Sequence, residues 1–85
     1  MPARLGDTAA MPEHGSPVPE LIYYANGKVK FRGAHLDGEM HGPWAFYRRD
    51  GSLMRRGRFD RGRQVGPWQT FDRAGNLVKE TTFGG

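Results

Sequence analysis

Gly27, Gly51 and Gly75 stand 24 residues apart, and so do Gly33 and Gly57, Gly38 and Gly62, and Gly42 and Gly66. Pro43 returns as Pro67, Trp44 as Trp68, and Tyr23 as Tyr47 and Phe71. Val29 returns as Leu53 and Leu77, and His35 falls in register with Phe59 and Phe83. No gap is needed to keep this register. A period of this length means one supersecondary unit stacked on copies of itself. From Leu21 onward there are two full copies and a final half copy. No helical periodicity competes with the repeat.

The unit reads as a β-hairpin. Asn26-Gly27 and Asp50-Gly51 each separate two strand-like runs, and Ala74-Gly75 takes the same place in the third copy. Such pairs signal short hairpins because Gly adopts positive φ freely. A two-residue loop would pair Arg48 with Leu53. A three-residue loop ending in Gly51 pairs Tyr47 with Leu53, Tyr23 with Val29 and Phe71 with Leu77. The second choice sets an aromatic opposite an aliphatic in every copy, which stabilises a sheet, and it asks only ordinary α geometry of Ala74. Leu53, Arg55, Gly57 and Phe59 then share one face, with Val29, Phe31, Gly33 and His35. Met54, Arg56, Arg58 and Asp60 point the other way, with Lys30 and Arg32. Gly33 and Gly57 inside strands suggest a bend, a bulge or close approach of a neighbouring backbone. Residues 37–43 and 61–67 read as turns. The expected fold is all-β without helix: an antiparallel meander of about six strands near 20–24, 28–36, 44–48, 52–60, 68–72 and 76–83.

Residues 1–20 carry four prolines and no periodicity, and read as a disordered tail whose last residues could join the sheet. Residues 21–85 form the repeat domain. The tail has a net charge of −2; the domain has twelve Lys and Arg against six Asp and Glu, a net of +6. Such a field attracts acidic protein, acidic lipid headgroups or nucleic acid. With no cysteine there is no disulfide, thiolate zinc site or Cys nucleophile. There is no apolar run of membrane-spanning length, and residues 1–20 lack the apolar stretch of a signal peptide, so a cytoplasmic location is expected.

The unit Tyr-x-x-Asp-Gly-x-Leu-x-x-x-Gly-x-Phe-x-x-Gly-x-x-x-Gly-x-Trp, as it stands from Tyr47 to Trp68, resembles the MORN repeat and more closely its bacterial variant. Variant repeats of this kind also occur in proteins labelled YwqK-like antitoxins. The resemblance covers Tyr23 to Phe83. It implies hairpins stacked into one elongated, twisted antiparallel sheet with a shallow groove, and no catalysis. Some members are linked to phospholipid binding, others to protein scaffolding and self-association. The antitoxin label implies a partner protein.

The candidate binding residues are Lys30, Arg32, Arg56, Arg58 and Arg63 with Trp44 and Trp68. The arginines offer forks for phosphates or carboxylates, or simply a solvated face that blunts sheet edges. The tryptophans offer a stacking platform for bases, or anchors that pack one hairpin on the next. His35, Asp37, Glu39 and His41 could bind a metal, but they fall largely in a polar turn. Ser16 and Ser52 have no His or acid at a motif spacing, and no glycine pattern cradles phosphate ahead of a helix. No enzyme activity, metal or cofactor is expected. The first and last strands are open edges. A sheet with one apolar face and no covering helix must bury that face, so a homodimer through face or edge is expected. The expected role is a protein-interaction or scaffolding module for an unnamed, acidic protein partner. Acidic lipid or nucleic acid, and self-association alone, are the alternatives.

Overall fold

A computed structural model describes residues 16–84. They form one antiparallel sheet and no helix. The strands are β1 (Val18–Tyr23), β2 (Val29–Leu36), β3 (Glu39–Met40), β4 (Gly42–Tyr47), β5 (Leu53–Asp60), β6 (Arg63–Phe71) and β7 (Leu77–Phe83). Their order in the sheet is β1-β2-β4-β5-β6-β7, with the short β3 beside the end of β2. The expected meander is therefore present. Its first strand begins at Val18, inside the segment read as a tail, and residues 1–15 of that segment lie outside the described residues. The extents are 52 × 35 × 15 Å and the radius of gyration is 16.0 Å, against about 12 Å for a compact domain of this size. One sheet layer, clothed on both faces by its own side chains, accounts for that thickness.

The three long-spaced hairpins close as the sequence predicts. Gly51 N–H donates to the Arg48 carbonyl (2.9 Å), and Arg48 N–H to the Ser52 carbonyl (2.9 Å). Tyr24/Gly27/Lys28 and Asp72/Gly75/Asn76 repeat this pair of bonds. This is a type I turn followed by a left-handed glycine, with Gly27, Gly51 and Gly75 at φ 88°, 93° and 89°. Tyr23 pairs with Val29, Tyr47 with Leu53 and Phe71 with Leu77.

One expectation about the faces is corrected. Ile22 pairs with Phe31 and Tyr23 with Val29, so Lys30 is an extra residue; Met54 and Val78 are its equivalents. A bulge of one residue reverses the alternation. Val29, Leu53 and Leu77 consequently lie on the opposite face from Phe31, Phe59 and Phe83.

The other connections are shorter than their composition suggested. Leu36 pairs with Glu39 and Asp60 with Arg63, leaving only Asp37-Gly38 and Arg61-Gly62 as loops. Both residues of each loop have positive φ, which makes them type I′ turns. Asp tolerates this conformation; Arg61, at φ 50°, carries the cost of a Cβ pressed toward its carbonyl. Arg61→Asn relieves that strain and is expected to stabilise the fold by about 0.5–1 kcal/mol, a melting temperature several degrees higher. An unchanged or lowered melting temperature would contradict it.

Successive hairpin tips are tied together. Tyr24 Oη donates to the Tyr47 carbonyl (2.7 Å), and the Arg48 guanidinium, its equivalent one repeat on, to the Phe71 carbonyl. Asn26 Nδ2 donates to the Arg49 carbonyl (2.9 Å), while Arg73 Nε donates to the equivalent Asp50 (2.9 Å). The Asp50 carboxylate also accepts from Ser52 Oγ (2.6 Å) and Ser52 N–H (2.8 Å). The Ser52 bonds, aided by Arg73, lower its pKa from 3.8 to about 2. Asp72, held by Asn76, is lowered as well. A carboxyl depressed in the folded state stabilises the fold fully above its unfolded pKa and loses that contribution as pH falls through its folded value. The melting temperature is thus expected to fall between pH 4 and pH 2. Ser52→Ala should raise the Asp50 pKa, read by NMR titration, and flatten part of that slope; an unmoved Asp50 titration would refute the assignment.

Candidate functional site

The two faces differ in kind. On one, Trp44 and Trp68 are the centres of an aromatic ladder. Trp44 meets Phe31 (5.7 Å between ring centroids), Phe46 (5.9 Å) and Phe59 (5.9 Å), with His35 edge-on (5.4 Å). Trp68 meets Phe59 (5.1 Å), Phe46 (6.2 Å) and Phe83 (6.4 Å). The Arg55 guanidinium lies 4.8 Å over the Trp68 ring. Each indole lies flat on a strand glycine: a Cβ added at Gly33 would stand 2.1 Å from Trp44 Cδ2, and one at Gly57 2.1 Å from Trp68 Cδ2. The indole N–H groups donate to the Ala34 and Arg58 carbonyls, both at 3.1 Å. What approaches these glycines is an indole, not a neighbouring backbone.

Trp44 and Trp68 are 3% and 4% exposed. Trp44 also borders a groove on the other face of the sheet. Both indole rings are enclosed and their donors used, so they offer no platform to a base. They pack one hairpin on the next, which was the other reading of a repeated tryptophan.

The opposite face carries a groove of about 790 Å³. It runs across the strands, and its walls repeat with the sequence. Pro19 and Leu21 come from β1, Pro43 and Ala45 from β4, and Pro67 and Gln69 from β6. Between them lie Arg32 and Ala34 of β2 and Arg56 and Arg58 of β5. Each set occupies equivalent positions 24 residues apart. Gly42 and Gly66, at φ 82° and 70°, bulge the strands just before Pro43 and Pro67. Gly57 faces three residues of β6 (66–68) where an even ladder would place one. Proline fits there because the bulge leaves no ladder bond for it to donate.

Arg32, Arg56 and Arg58 are all exposed. Arg56 is held in place, its Nε donating to Gln69 Oε1 (3.0 Å) and its guanidinium 5.4 Å over the Phe71 ring. Among the described residues no carboxylate pairs with Arg32 or Arg58. Glu20, the acid in the lining, is engaged by His35 Nδ1 at 2.8 Å.

The fold thus sorts the basic run by strand alternation. Arg32, Arg56 and Arg58 share the groove, whereas Arg55 sits on the aromatic face. Lys30, at its bulge, lies 5.8 Å over the Tyr24 ring toward the hairpin tip. Arg63 opens β6 opposite Asp60, beside the second tight turn. Lys30 and Arg63 therefore stand outside the groove lining. His35 turns to Glu20 across the β1–β2 pair. His41 Nδ1 accepts the Arg61 N–H (3.1 Å) and stands 3.8 Å from Asp60 Oδ1. The two histidines face different neighbours and hold no common ligand position. The proline walls were missed, although Pro19 stands in register with Pro43 and Pro67 and could have marked the first wall.

Two segments, residues 19–34 and 64–83, match the family model of the MORN repeat variant. They cover the β1–β2 and β6–β7 hairpins, at the two ends of the sheet. No curated protein and no solved structure matches the chain. MORN repeats are generally associated with binding to proteins or membranes, and the two segments similar to the variant lie on the two flanks of this chain's groove.

Proposed function

We propose that this chain is a non-catalytic protein-interaction module whose working surface is the arginine–proline groove. One observation carries this reading: equivalent positions of successive repeats build one continuous groove, open along one side of a single-layer sheet. Catalysis has no place in it. The polar groups at the groove are guanidiniums, one amide and the Glu20 carboxylate, which His35 engages; the guanidiniums and the amide neither attack nor exchange protons near neutral pH. An antitoxin-like role is one version, in which the groove covers part of a harmful partner. Tagged protein purified from its native cells should bring down a discrete protein. Ala45→Glu, which places a carboxylate in the groove floor, should lose it, while Lys79→Glu on the aromatic face should keep it. Loss from both variants, or from neither, would refute the groove as the working surface.

Self-association is the second reading, and a separate observation favours it. Among the described residues the exposed large apolar side chains are Val18, Leu21, Ile22, Tyr23, Leu77 and Val78, all on β1 and β7. Both are open edges of the sheet. At β7, Thr81 stands where Gly33 and Gly57 receive an indole, so another repeat of this kind cannot dock there. That leaves β1 as the edge for a second copy. Light scattering after size exclusion should then give about twice 9.6 kDa, and Ile22→Lys should return the monomer mass. A monomer at every concentration would end this reading.

A further inference from the structure

We infer that the groove takes an acidic segment of a partner protein in the polyproline II conformation, with carboxylates at every third residue. This rests on the reading of the groove as the working surface and adds the chemistry of its occupant. Arg32 and Arg56 are equivalent residues on β2 and β5, two strand spacings apart in the sheet. At about 4.8 Å per spacing, these two guanidiniums stand roughly 9.6 Å apart, and the next equivalent residue, Glu80 on β7, lies outside the groove lining. A polyproline II chain rises about 3.1 Å per residue with three residues per turn, so it presents the same side about every 9.3 Å. An extended β-strand presents one side about every 6.6 Å and falls out of step within one repeat. Two turns of α-helix cover about 10.8 Å and drift further.

The chemistry of the walls agrees with the spacing. Guanidinium forks bind carboxylates bidentately. Pro19, Pro43 and Pro67 present apolar surfaces at the same interval, which suit the small apolar residues between the acids. Acidic chains repel themselves and stay extended, and polyproline II has no internal hydrogen bonds to break on docking. Arg58 gives β5 a second fork where β2 has Ala34, so the more acidic end of the segment lies over β5. Nucleic acid lacks its stacking partners here, because both indoles are enclosed. A bilayer surface meets a recess rather than a projecting apolar wedge.

The test is fluorescence anisotropy with a labelled peptide of four Glu-Pro-Ala triplets, beside an isomer of the same composition with its glutamates contiguous. The triplet peptide should bind more tightly than the isomer. Arg32→Glu and Arg56→Glu should each weaken it by about tenfold or more. Lys79→Glu, the same charge change on the other face, should cost less than about twofold. Arg32 makes no contact that holds the fold, so its variant remains informative if Arg56→Glu is poorly folded. Equal binding of the two peptides, no binding, or insensitivity to Arg32→Glu would overturn the inference. So would a thymidine oligonucleotide or vesicles containing phosphatidylserine binding in the peptide's place. A groove that still captures a partner lost through Ala45→Glu, yet ignores the triplet peptide, would sink this inference alone and leave the module standing.

Discussion

Gly57→Ala is expected to remove a large part of the protein's stability. Gly57 is not at positive φ, so replacing it would ordinarily stabilise a strand by about 0.4–1 kcal/mol through the unfolded chain. Here the new methyl would stand 2.1 Å from Trp68 Cδ2. No real contact is that short, and ring and strand backbone leave no slack between them. The indole must leave, and its burial leaves with it. That costs about 3 kcal/mol or more, so the steric effect outweighs the entropic one several-fold. A domain of this size holds roughly 4–13 kcal/mol in all. The melting temperature should fall by about 15 °C or more. Gly33→Ala should do the same through Trp44.

Trp68→Ala is the matching prediction. Trp68 is one of only three large apolar side chains among the described residues that are buried, with Trp44 and Leu36. Its loss strips ring contacts from Phe46, Phe59 and Phe83 and the cation–π partner from Arg55. It also removes the N–H donor to the Arg58 carbonyl. The expected cost is about 3–5 kcal/mol. The two changes must not add. Once the indole is gone, an alanine at Gly57 meets open space and should cost under about 1 kcal/mol. A coupling of about 2–3 kcal/mol in that double-mutant cycle, measured by urea unfolding, identifies the flat indole on the glycine as the joint between repeats. Strict additivity would deny it.

The sequence exposes this fold where local chemistry determines structure. Asn26-Gly27 and Asp50-Gly51 declare their turns, and the aromatic–aliphatic pairing selects their loop length before any long-range contact is known. The bulges at Lys30, Met54 and Val78 were not legible. They arise from which cross-strand bonds close, and no residue type marks them, yet each reverses the face of its flanking aliphatic. Arg61-Gly62 hid a tight turn for a related reason: Arg does not announce a left-handed conformation, and only its neighbours' pairing imposes one. Of the candidate site, alternation placed Arg32, Arg56 and Arg58 on one face, where they line the groove. It could not tell that Lys30 and Arg63 flank irregularities that carry them away. Nor could spacing decide whether the tryptophans bind or pack; the packing on Gly33 and Gly57 decides that.

The most direct test of the groove as the working surface is photo-crosslinking in native cells. A photoreactive residue replaces Ala45, in the groove floor, or Lys79, on the other face of the sheet. Wild-type folding is checked by tryptophan fluorescence. The account predicts a discrete protein adduct from position 45 and none from position 79. Adducts to lipid or nucleic acid at position 45, or a protein adduct at position 79 alone, would contradict it.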